Sequence, residues 1–150
     1  MAASVVVGVL VGGALMRPQQ GLLAVENGQL RAAAALTHVL DTRLASDAAN
    51  ANAANANAAL HIGVSFRAQD GAYCRTFDSI EANKTVSGLA CRQPDAWVVR
   101  IATTEPVVAS DYRQAGSAAP AVMSLVDSMI AGDPLTDAQE RAARDHSWRD

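Results

Sequence analysis

The chemistry open to this chain rests on two cysteines, three histidines and a set of arginines carried on or beside candidate strands. Cys74 and Cys91 fall on strands that would be neighbours in a meander, so the pair can close into a disulfide across a sheet; two separately buried free thiols are the alternative. Zinc needs four ligands at characteristic spacing. Cys74, Cys91, His38, His61 and His146 are scattered without it, so neither a metal nor a cofactor is expected. Hydrolysis needs a nucleophile, a base and an orienting group. The chain has many serines, but no Gly-x-Ser-x-Gly elbow and no glycine-rich phosphate loop, and its histidines sit on three different elements. No catalytic residue is expected, and the chain is not read as an enzyme. Arg67, Arg75, Arg92 and Arg100 are the candidates for recognition, since together they would line a weakly cationic face for a carboxylate or phosphate ligand. The plainer reading is four exposed arginines whose stems lie over aromatic neighbours.

The elements that must position these residues can be read from periodicity. From Leu22 to Ser46 the pattern is helical, with Ala33, Leu36, Thr37, Leu40 and Leu44 within an arc of about 100° and Leu30 at its edge. Arg31, His38, Asp41 and Thr42 take the other side, and Asn27-Gly28 marks a break near the start. Residues 48–59 alternate asparagines with alanines, a low-complexity tract with no apolar face, read as an insertion. Leu60, Ile62, Val64 and Phe66 then alternate with polar or small residues, the period of a half-buried strand whose apolar members face one core while Arg67 does not. Asp70-Gly71 turns the chain into a strand at 72–77. After a polar excursion at 78–85 come strands near 86–92 and 97–103, separated by Gln93-Pro94-Asp95. Val122, Val126, Met129 and Ile130 share a helical face ended by Gly132 and Asp133-Pro134, and Thr136 with Gln139 has capping-box spacing for a last helix. The expected fold is α+β: an amphipathic helix, a four-stranded antiparallel meander and two C-terminal helices.

The length of 150 residues favours one domain, and an aromatic content of 4% implies a core of small and aliphatic side chains. A net charge of −3 without a Lys/Arg cluster argues against nucleic acid as a partner. Ala2 to Met16 runs uncharged up to Arg17 and Pro18. A membrane span needs about twenty apolar residues, and a secretory signal needs a basic start and a cleavage site, so the run reads as a span truncated on its N-terminal side. Gly8 and Gly12 give one GxxxG spacing through which two such helices could pack. A buried strand or helix of a soluble core is the alternative. The expected organisation is a partial anchor at 1–17, a membrane-proximal helix at 18–47, the insertion at 48–59 and an extracytoplasmic α+β domain at 60–150.

The stretches GVSFRAQDGAYCRTF, VSGLACRQPDAWVVRI, YRQAG and MIAGDPLTDAQERAARDHSW, in that order, together with LDTRLAS at Leu40 to Ser46, carry a resemblance. The chain resembles the extracytoplasmic portion of bacterial transmembrane anti-sigma factors, the membrane-anchored inhibitors of extracytoplasmic-function sigma factors. Phe66, Arg67, Asp70, Gly71, Tyr73, Cys74, Arg75, Phe77, Gly88, Leu89, Cys91, Arg92, Tyr112, Arg113 and Gly116 carry it. Two features depart from the pattern: the Ala/Asn tract, and the lack of a sigma-binding segment ahead of the apolar run. The resemblance implies envelope-stress regulation from the bacterial inner membrane, with the folded domain in the periplasm. It also implies contact with a sigma factor only through a segment outside these residues, while the Gly8 and Gly12 spacing leaves room for self-association through the anchor. The competing function is a membrane-anchored binding module that takes a small anionic ligand or peptide at the arginine-bearing sheet.

Overall fold

A computed structural model describes residues 21–47, 60–81, 83–106 and 119–150. Its strands are β1 (Leu23–Glu26), β2 (Gln29–Ala32), β3 (Leu60–Arg67), β4 (Tyr73–Glu81), β5 (Lys84–Arg92) and β6 (Trp97–Pro106). Its helices are α1 (Ala34–Thr42), α2 (Pro120–Met129) and α3 (Asp137–Asp145). All strand pairs are antiparallel, in the spatial order β1-β2-β6-β5-β4-β3. The fold is α+β, but the expected four-stranded meander is corrected to a six-stranded sheet with three short helices.

The two additional strands lie where a helix beginning at Leu22 was expected. Asn27 and Gly28 have φ of 52° and 77°, the left-handed pair of a tight hairpin turn whose twist matches that of its strands. Leu23 then pairs with Ala32 and Val25 with Leu30, and the hairpin joins β6 through Arg31 opposite Val98. Helix begins only at Ala34, so the stripe that starts at Ala33 marked its true extent. The polar excursion expected at 78–85 is also corrected: β4 runs on to Glu81, opposite Lys84 at the start of β5.

Strict alternation along β3 fails for an equally local reason. Ile62 pairs with Phe77 and Ser65 with Arg75, so Gly63 and Val64 both oppose Thr76, and the Val64 N–H donates to Thr76 Oγ1 at 2.8 Å. This bulge moves the following side chains to the other face. Leu60 and Ile62 pack with Leu36, Leu40, Trp97 and Trp148 in one core. Val64 and Phe66 pack with Leu89, the two cysteines, Val122 and Val126 in a second. The sheet therefore has helices on both faces, and the four apolar residues of β3 serve two cores.

Loop residues cover part of the outer edge of β3, where the Ala131 N–H donates to Arg67 O and the Leu135 N–H to Ser65 O, both at 2.8 Å. Such pairing blunts an edge that would otherwise recruit another strand. Thr136 and Gln139 form the expected capping box of α3. Beyond α3, Ser147 and Trp148 take φ of 56° and 59°, and this reversal turns the Trp148 indole into the first core, where it is 1% exposed. Left-handed backbone costs a non-glycine residue about 1 kcal/mol or more, which the burial of the indole offsets.

Gly88 lies against the Phe77 ring, and a Cβ there would stand 2.9 Å from Ile101 O. Replacing it with alanine is expected to destabilise the protein by about 1–3 kcal/mol, since a backbone oxygen cannot swing aside. Urea unfolding should show a lower midpoint at unchanged slope.

No helix among the described residues is long and apolar enough to cross a membrane. The apolar run at 2–16, Gly8 and Gly12 with it, and the tract at 48–59 lie outside the described residues.

Candidate functional site

Position 75 on β4 points into the first core, where the pattern of a strand calls for an apolar side chain. It carries an arginine with no exposed surface. Burial of a guanidinium is tolerable only if its donors are met. Arg75 Nε donates to Ser65 Oγ at 2.8 Å, Nη2 donates to Arg43 O at 2.7 Å and to Glu140 Oε1 at 2.8 Å, and Nη1 donates to Leu40 O. The guanidinium also lies 4.0 Å over the Trp148 ring.

Glu140, itself 2% exposed, accepts from Ser65 Oγ and, through Oε2, from the Ala45 N–H at 2.9 Å. Desolvation lowers the Arg75 pKa to about 10, an effect the Glu140 charge opposes, so the guanidinium remains protonated at neutral pH. A buried pair of this kind adds little net stability over an apolar packing, but it demands one geometry. Here that geometry ties the chain from Leu40 to Ala45 to β3, β4 and α3.

The other arginines expected to form one cationic face are divided. Arg67 and Arg92 lie at the end of the sheet where Tyr73, Trp97 and Trp148 gather, with Arg67 4.2 Å over Tyr73 and Arg92 5.7 Å over Trp97. Arg75 is sealed beneath them. Arg100 is exposed and borders a different groove, with Leu30, Val98, Leu125 and Met129. It is the extra residue of a second irregularity, since Leu89 pairs with Ile101 and Ala90 with Val99.

Arg67 and Arg92 line an open cleft of about 570 Å³ together with Arg149 and Asp150, which sequence reasoning missed. Arg67 is ion-paired with Asp150, and Arg149 Nη2 donates to Pro94 O at 2.7 Å. The Nε of Arg92 is buried and, among the described residues, has no hydrogen-bond partner. Glu140 was missed as well. Glu140 and Ala143, three apart, are the two positions that α3 buries, but Ala138, Gln139 and Ala142 on the same short helix leave the sequence without a stripe that marks them.

Cys74 and Cys91 pair directly across β4 and β5 and are joined in a disulfide. His38 lies on α1, His61 on β3 and His146 at the end of α3. Among the described residues no group of three or more His, Cys, Asp or Glu side chains is placed to hold a metal.

In comparison with known proteins, the chain matches no family model, no curated protein and no solved structure. Its chemistry must therefore be read from the geometry: a fully paired buried ion pair that couples distant segments, and above it a cleft rich in guanidinium groups.

Proposed function

We propose that this chain is the extracytoplasmic sensory region of a membrane-bound anti-sigma factor. In this reading it acts by changing conformation rather than by turnover, and it meets a sigma factor only through a segment outside these residues. The observation that carries the reading is the clamp of Arg75 and Glu140 on Leu40, Arg43 and Ala45. Leu40 lies in the last turn of α1 and Arg43 and Ala45 just beyond it, so a change in the sheet is felt in the helix and hairpin that lead back toward the N-terminal apolar run. Two further features support it. The resemblance of the FRAQDGAYCRTF, GLACR and IAGDPL stretches runs along the same strands and loops, and a disulfide suits an oxidising compartment.

Regulation from outside the membrane requires two states that an input stabilises differently. The test is a sigma-dependent reporter in cells whose gene for this protein has residues 21–150, the whole sheet with its helices, replaced by an unrelated inert domain. Basal repression should persist while the response to envelope stress is lost. A reporter that is indifferent to the replacement overturns the reading. Loss of repression itself, at normal protein level and insertion, would show that the domain inhibits rather than senses.

A further inference from the structure

We propose that the cleft bordered by Arg67, Arg92 and Arg149 is a binding site for an oxyanion, a phosphate or carboxylate group, which enters in place of the Asp150 side chain. The site is a property of this chain whether or not it regulates a sigma factor.

Arg67, Arg92 and Arg149 all line one cleft, together with Asp70 and Asp150. Asp70 Oδ1 is committed to its own turn, accepting from the Ala72 N–H at 3.0 Å. Asp150 is different: its carboxylate pairs with Arg67, yet its side chain is 75% exposed. An ion pair so open to solvent is worth about 1 kcal/mol or less, so an incoming anion displaces it at little cost. The cleft thus already holds one carboxylate, supplied by the chain itself.

Arg92 supplies the drive. A buried donor without a partner costs about 1–3 kcal/mol; Arg92 Nε is such a donor among the described residues, and, closed off from solvent, it gains an anionic partner when the side chain turns toward the cleft. Its guanidinium borders this cleft and also a neighbouring one that Arg149 shares. Arg149 is held in place by its bond to Pro94 O, and Arg67 by its contact with the Tyr73 ring. These two side chains are therefore held in place before a ligand arrives, which limits the ordering that binding requires. A planar guanidinium meets phosphate or carboxylate through paired N–H groups. Trp148 lines the same cleft and stacks on Arg75, so the occupant would sit one side chain away from the buried clamp.

The test is NMR of the arginine Nε–Hε groups in the full chain, titrated separately with inorganic phosphate and with succinate while chloride holds ionic strength constant. A saturable shift of Arg92 is expected, with a dissociation constant on the order of millimolar. Arg92→Gln should weaken binding by about tenfold or more, whereas Arg100→Gln, which removes the same charge from the other groove, should leave it unchanged. Asp150→Asn removes the internal competitor and should tighten binding about twofold to fivefold. This variant changes only an exposed side chain, so it tests the site even if Arg92→Gln fails to fold. Saturation by one probe alone supports the site and identifies its ligand class. No saturable shift with either probe, or equal weakening by Arg92→Gln and Arg100→Gln, overturns the proposal.

Discussion

Glu140→Ala is expected to lower the free energy of unfolding by about 3–5 kcal/mol, the largest effect of any single substitution in this protein. The reason is what remains behind. Arg75 would keep its charge with no exposed surface, having lost the carboxylate it is hydrogen-bonded to, and Ser65 Oγ and the Ala45 N–H would each lose an acceptor. Small domains have only about 5–15 kcal/mol in total, so much of the population should unfold in modest urea. Arg75→Met combined with Glu140→Leu removes both charges at similar volume and should recover most of the loss, because burying neither ion avoids both desolvation penalties. The exposed pair of Arg141 and Asp137 on the same helix is the internal control, and breaking it should change stability by less than about 0.5 kcal/mol. The measurement is urea unfolding of the three variants beside the unmodified protein. A Glu140→Ala loss as small as that at Asp137 would mean that water reaches the pair and that the clamp does not hold Leu40 to Ala45 in place.

That pair also shows where sequence reasoning reached and where it stopped. The strands near 60–67, 72–77, 86–92 and 97–103 were readable because Asp70-Gly71 and Pro94-Asp95 punctuate apolar stretches, whereas their continuation through 78–85 carries polar residues and was not. Arg75 was visible as a strand arginine, but alternation alone cannot say which face of a doubly covered sheet it serves. Its burial depends on Glu140, far away in sequence, and nothing in the local pattern of α3 announces an acidic residue that faces inward. Arg149 and Asp150 enter the cleft only because left-handed backbone at Ser147 and Trp148 folds the tail back. Neither residue is a glycine, so no composition signal marked the reversal.

The first hairpin is a different case, since its signal was present and was outweighed. Asn27-Gly28 is among the strongest short-range hairpin signals, and Leu22, Leu23, Val25 and Leu30 suit a two-stranded ribbon as well as a helix. Reading the strong stripe from Ala33 backwards through the turn extended a helix into residues that contribute nothing to that stripe. On β3 the failure was of another kind: a one-residue bulge is invisible to periodicity until the partner strand is known, and Gly63 was its only trace.

Replacing Cys74 and Cys91 together with alanine is expected to destabilise the protein by about 3 kcal/mol, given the sequence separation of 17 residues and the loop-closure entropy it returns to the unfolded chain. The two residues face each other on β4 and β5 at the centre of the second core, packed with Phe66, Leu89, Val122 and Val126. Loss of the sulfurs therefore also loosens contacts between the sheet and α2. Cys74 is fully buried and Cys91 is 2% exposed, so reductant reaches the bond only when α2 lifts or the domain opens. In native buffer, reduction by dithiothreitol should accordingly be slow and should accelerate with urea in step with unfolding. Mass analysis after thiol alkylation at increasing urea measures this directly, and the double variant's unfolding midpoint measures the stability. Rapid alkylation of both thiols in the absence of denaturant would show that the face under α2 is open. An unchanged midpoint in the double variant would show that β4 and β5 are held by their ladder and by the packing of Phe66, Leu89, Val122 and Val126, with the bond adding nothing to stability.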